Sequence, residues 1–127
     1  MKKLVLFGGS LFVLACAVTL GLHQNAAAGG CTVNINNIQK SFSAVNCEET
    51  VTWDTDVATN TNYVDWGADC NSLINTANAG NGHHHSATFD VTGYSSQDKI
   101  AIQITSSASC GSESTSCLPA AISECIQ

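Results

Sequence analysis

The sequence has no arginine, one proline (Pro119) and four lysines in 127 residues. Lys2 and Lys3 open the chain, so Lys40 and Lys99 are the only basic side chains after it, histidine aside. All ten acidic residues fall beyond residue 28, where two lysines against ten acids leave a formal charge of −8. Binding DNA or RNA relies on neutralising phosphates with Lys and Arg, so this balance excludes nucleic acid as a partner. An acidic surface rich in Asn, Thr and Ser suits a protein dissolved outside the cell. No C-x₂-C pair occurs, which argues against a zinc ribbon or finger. No C-x-x-C-H occurs, so covalent haem is not indicated. There is no G-x-S-x-G and no glycine-rich phosphate loop. Convincing amphipathic helix and fixed-period repeats are also missing.

What is present begins at the N-terminus. Met1-Lys2-Lys3 is followed by residues 4–22, apolar apart from Ser10 and Thr19 and holding Gly8 and Gly9. Ala26-Ala27-Ala28 then places small residues at −3 and −1 of a cut before Gly29. A positive start, an apolar run and a small-residue site together read as a secretory signal over residues 1–28. Two other readings stay open. The apolar run is near the length of a membrane span and would serve as an uncleaved anchor. Val13-Leu14-Ala15-Cys16 also resembles a lipobox, so lipid on Cys16 would hold the chain at a membrane. Against that, Ala17 to Leu22 stays apolar, whereas lipoproteins usually turn polar after the cysteine.

Cysteine parity points the same way. Of seven cysteines, Cys16 lies in the signal and Cys31, Cys47, Cys70, Cys110, Cys117 and Cys125 remain. An even count in a small domain predicts three bridges formed in an oxidising compartment. Residues 29–127 therefore read as one secreted, periplasmic or cell-envelope domain.

Alternation and β-branched content predict strands at residues 32–36, 50–53, 61–66, 86–91 and 99–105. Val51 with Trp53, Val64 with Trp66, Ala87 with Phe89 and Val91, and Ile100 with Ile102 and Ile104 face inward. Residues 114–125 form a weaker last strand interrupted by Pro119, as an edge strand tolerates. Residues 54–60, 67–82, 93–98 and 106–113 read as turns, with at most one helical turn over residues 73–79. Short strands at this spacing predict an all-β antiparallel β-sandwich.

Several segments carry a resemblance. Glu49-Thr50-Val51-Thr52-Trp53-Asp54-Thr55-Asp56, then Val57-Ala58-Thr59, resembles the second strand and turn of fibronectin type III-like domains. The similarity is to the variety that precedes the catalytic domain of purple acid phosphatases. Tyr63-Val64-Asp65-Trp66-Gly67 and His85-Ser86-Ala87-Thr88-Phe89-Asp90-Val91-Thr92-Gly93-Tyr94 follow in the order that resemblance implies. It covers residues 33–107. Ile100 stands where the family usually has a corner tyrosine, and Ser96 where proline is common. The six cysteines exceed the usual number, and bridges are expected to replace part of the missing lock. The immunoglobulin-like sandwich that the resemblance implies suggests the pairs Cys110–Cys117, Cys47–Cys70 and Cys31–Cys125. Asn81-Gly82-His83 echoes part of a metallophosphatase motif. The other ligands and the domain that carries them are missing, so phosphatase activity does not transfer.

His83-His84-His85 is the most conspicuous local feature. Imidazoles bind Zn, Ni or Cu, and strand alternation lets His83 and His85 share a metal while His84 points away. A polar loop leading into a strand is the plainer reading. Asp54, Asp56, Asp65 and Asp69 gather near the second and third strands as Ca²⁺ candidates, but without EF-hand spacing solvated surface acids are the plainer reading. Paired carboxylates also serve glycosidases, but a cleft and stacking aromatics are wanting. Trp53 and Trp66 read as core, and Tyr63 as an exposed contact. The expectation is a non-catalytic module, with no cofactor, that binds a protein or glycan through its surface. Its rivals are a self-associating structural subunit and a small metal-binding protein. Membrane contact is expected only through a lipidated Cys16 or an uncleaved signal.

Overall fold

The computed structural model describes residues 31–126, and the expected signal over residues 1–28, with Cys16, lies outside them. The strands are β1 (Ile35–Ser43), β2 (Glu48–Thr59), β3 (Thr61–Gly67) and β4 (Asn75–Asn78). They continue with β5 (Gly82–Asp90), β6 (Lys99–Ala108), β7 (Gly111–Ser114) and β8 (Leu118–Ala121). A 3₁₀ turn over Thr92–Tyr94 links β5 to β6. Two antiparallel sheets form an all-β sandwich. One runs β1-β2-β5 and the other β4-β3-β6-β7, with β8 also paired to β6. β7 pairs with the second half of β6, from Thr105 to Ala108, and β8 with its first half, from Lys99 to Ile102.

The alternation that predicts these strands also builds the core. Val51 and Trp53 from β2 and Ala87 and Phe89 from β5 face Val64 and Trp66 from β3 and Ile100, Ile102 and Ile104 from β6. Burying each isoleucine contributes roughly 1.5–3 kcal/mol. Trp66 stacks on Phe89 across the two sheets with ring centroids 4.6 Å apart. Trp53 donates its indole N–H to Ser106 Oγ at 2.9 Å, so the second tryptophan also joins sheet to sheet with its polar atom satisfied.

The strands differ from expectation where polar residues take part in ladders. Residues 32–34 lie outside β1, which starts at Ile35 and runs to Ser43. Residues 54–59, expected as a turn, continue β2 past a register shift opposite β5. β4 occupies the segment expected as loop or helical turn, because Asn75 to Asn78 complete the edge of β3. Residues 106–108 extend β6, and residues 111–113, also expected as a turn, form β7 with Ser114. The last strand, expected over residues 114–125, is confined to Leu118–Ala121. Pro119 lies in the edge strand β8 opposite Ala101, which agrees with its missing N–H.

All six cysteines of the described domain are disulfide-bonded, indicating an oxidising, extracytoplasmic environment. The pairing differs from the one the resemblance implies. The observed bridges are Cys47–Cys125 and Cys70–Cys117, and Cys31 and Cys110 are bonded as well. None of Cys110–Cys117, Cys47–Cys70 or Cys31–Cys125 forms. The register gives the reason. Gly67 of β3 lies opposite Ala101 and Leu118 of β8 opposite Ile102, so Cys70 and Cys117 flank the same stretch of β6. The C-terminal segment returns along the β1–β2 turn, where Ile126 N–H bonds the Ala44 carbonyl, and this brings Cys125 to Cys47. Gly67 is required here for space, since a Cβ would fall 1.7 Å from the Ser72 carbonyl oxygen.

Candidate functional site

The three histidines open β5, and the structure separates their roles. His85 turns inward, 4% exposed, with its ring 5.3 Å from that of Trp53. Its Nδ1 lies 2.8 Å from the Gly80 carbonyl oxygen, which only accepts, so in the neutral ring Nδ1 carries the proton. Its Nε2 lies 3.1 Å from both Thr55 Oγ1 and Thr59 Oγ1. Thr59 donates to Asn62 Oδ1 at 2.6 Å, which leaves Thr55 as the donor to Nε2. Asn62 in turn donates to the Gly80 carbonyl. Both nitrogens of His85 are committed, so it has no open position for a metal shared with His83. His83 is exposed, with Nδ1 3.1 Å from the Thr55 carbonyl oxygen. His84 points to the outer face and bonds Asp54 at 2.7 Å.

The four aspartates do not converge. Asn37 and His84 hold Asp54 and lower its pKa, the Asn37 hydrogen bond contributing most. The backbone and side-chain N–H groups of Asn34 do the same for Asp56. Asp65 accepts from Thr76 Oγ1, and Asp69 from the backbone N–H of Asn71. Among the described residues no group of three or more His, Cys, Asp and Glu is placed to hold a metal. Trp53 and Trp66 are 1% and 7% exposed and belong to the core, while Tyr63 is half-buried on the other side of β3.

A different place gathers the positive charge. Lys40 on β1 and Lys99 at the start of β6 both line a groove of about 620 Å³ with Phe42, Asp98, Pro119 and Ala121. It lies where the edge strand β1 of one sheet meets the edge strand β8 of the other. Lys40 Nζ donates to the Pro119 carbonyl oxygen at 2.7 Å across that seam. Next to Phe42 in the ladder is Glu49, fully buried, and neither of its carboxylate oxygens has a hydrogen-bond partner among the described residues. Burial pushes its carboxyl up to about 7, with the Lys40 charge pulling the other way. Sequence reasoning missed this site. The available signal was the scarcity of lysine itself, which makes any meeting of the two informative.

Comparison with protein families, with curated proteins and with solved structures finds no match.

Proposed function

We propose that the chain is a non-catalytic, exported module of fibronectin type III-like architecture that binds an acidic protein segment in the groove between β1 and β8. The observation that carries this reading is the meeting of Lys40 and Lys99 in one groove on an otherwise acidic chain. Two ammonium groups beside Phe42, Pro119 and Ala121 suit a carboxylate-bearing, partly apolar ligand. The flanking edge strands add backbone groups suited to an extended peptide.

The architecture is supported by strand order. Immunoglobulin constant domains place their fourth strand beside the fifth, whereas β4 here lies beside β3 in the opposite sheet. The order of the other strands is that of an immunoglobulin-like Greek key. Export is supported by the bonded cysteines and by the signal-like residues 1–28. The non-catalytic reading is supported by the buried His85, whose two nitrogens serve the fold.

Fluorescence anisotropy with acidic and neutral peptides tests the reading. The acidic peptide should bind more tightly, weaken with salt, and lose at least fivefold in affinity in a Lys40→Met, Lys99→Met variant. Affinity indifferent to both lysines would sink it. Preference for an acidic polysaccharide over every acidic peptide would move the ligand to the glycans.

A second reading, a self-assembling structural subunit, is favoured by β5. This outer strand of nine residues carries neither lysine nor proline, the usual guards of a free edge. Sedimentation at micromolar concentration distinguishes the two, since a stable monomer excludes assembly through β5.

A further inference from the structure

Lys40 and Glu49 are diagonal neighbours on the inner side of the three-stranded sheet. Lys40 lies opposite Val51, and Glu49 precedes Val51 by two positions on β2. Such diagonal pairs stand about 7–8 Å apart and are within reach of long side chains. The Lys40 ammonium is nevertheless directed to a neutral acceptor, the Pro119 carbonyl on the far sheet. Glu49 meanwhile is buried and unpartnered among the described residues. A protonated carboxyl tolerates that position, but an ionised one strongly favours a counter-charge.

The other charged groups nearby do not supply one. On β5, Asp90 is exposed and lies opposite Glu48, the outward neighbour of Glu49. From the second sheet come Asp98 and Lys99, both exposed along the same groove as Lys40. Glu124, on the C-terminal segment that follows β8, is exposed and negative. Lys40 is the cation whose field reaches Glu49.

We propose that Lys40 is a two-position clasp, which holds β8 through the Pro119 carbonyl while Glu49 is protonated and moves to Glu49 when that carboxyl ionises, loosening the β1–β8 seam. No bond is made or broken except hydrogen bonds, and the proton leaves Glu49 for solvent. Burial sets the exchange near neutral pH. The loosening is local. β8 lies between Cys117 and Cys125, both bridged, and Ala120 stays in the core. The clasp goes beyond the binding reading and does not depend on it, because it operates in the unliganded protein.

Amide hydrogen exchange over residues 118–122, in the oxidised chain and corrected for intrinsic rates, tests the clasp. Protection in the wild type should fall at least fivefold between pH 5.5 and pH 8.5. Glu49→Gln should change less than twofold over that range. Lys40→Met should be weakly protected at both values. Wild-type protection that is flat with pH, or a Glu49→Gln profile that follows the wild type, overturns the proposal. Should Glu49→Gln fail to fold, the wild type supplies a second test by NMR. The Lys40 Cε and Glu49 Cδ resonances should titrate with one shared midpoint, and separate midpoints overturn the clasp.

Discussion

Bonded cysteines stand at both ends of the sandwich, Cys110 in the β6–β7 turn at one and Cys47, Cys70, Cys117 and Cys125 at the other, but the buried polar groups at the two ends differ in how they are satisfied. At one end β2 finishes at Thr59 and β5 begins at Gly82, and a buried polar network fills the gap. There His85, Thr55, Thr59, Asn62 and the Gly80 carbonyl satisfy one another. At the other end β2 starts at Glu48 and β8 pairs with the start of β6. Covalent bridges, Cys47–Cys125 and Cys70–Cys117, hold that end, and the buried polar group beside them, Glu49, has no hydrogen-bond partner among the described residues. The difference teaches that burial alone does not set a polar residue's role. A fully bonded imidazole acts as part of the core, whereas a carboxyl buried without partners is a source of pH sensitivity.

Removing the covalent closure should have the largest effect. Replacing Cys47 and Cys125 together by serine opens a loop with a sequence separation of 78. The expected loss is about 4 kcal/mol in urea denaturation. A loss below about 1 kcal/mol would mean that packing already closes that end.

The next effect is the pH dependence of Glu49. Its carboxyl is raised from 4.5 in the unfolded chain to about 7 in the fold. Between those values the unfolded chain has released the proton and the folded chain has kept it, so stability falls as pH rises. The contribution is fully present below 4.5, is lost by about 7, and amounts to about 3 kcal/mol for the full rise. Denaturation of Glu49→Gln across this window should show a flatter profile than the wild type. Parallel profiles would remove the contrast between the two ends.

At the bonded end, Thr59→Val preserves shape but deletes the hydroxyl that donates to Asn62 and touches His85. It should cost about 1–2 kcal/mol, with little change in pH dependence. A neutral result would show that the network can re-form without Thr59. The smallest effect belongs to the exposed outer face. Asp54→Asn removes a carboxylate whose pKa Asn37 and His84 hold down, so its small stabilising contribution is lost as pH falls through that lowered value. Its melting temperature at pH 7 should match the wild type within reproducibility.

Much of the sandwich was legible because apolar residues alternate strictly where strands face a core. Val51 and Trp53, Val64 and Trp66, and Ile100, Ile102 and Ile104 are buried as their periodicity requires. β4 and β7 were not legible, since Asn75 to Asn78 and Gly111 to Ser114 are too polar and short to signal a strand. Their structure comes from the ladder offered by β3 and β6. His83 and His85 stood out in sequence, yet the buried environment of His85 depends on Thr55 and Thr59 across a register shift. Glu49 carried no signal beyond its place in an alternating run.

The all-β class, the acidic character and the six cysteines available for bridging follow from composition and from a two-residue period along the chain. Which cysteines meet is set by the packing of the sheets, since pairing depends on how strands far apart in the chain come to lie beside one another. That packing also decides where two scarce lysines converge and which buried polar groups find partners. Those outcomes depend on distances across sheets, which local pattern does not encode.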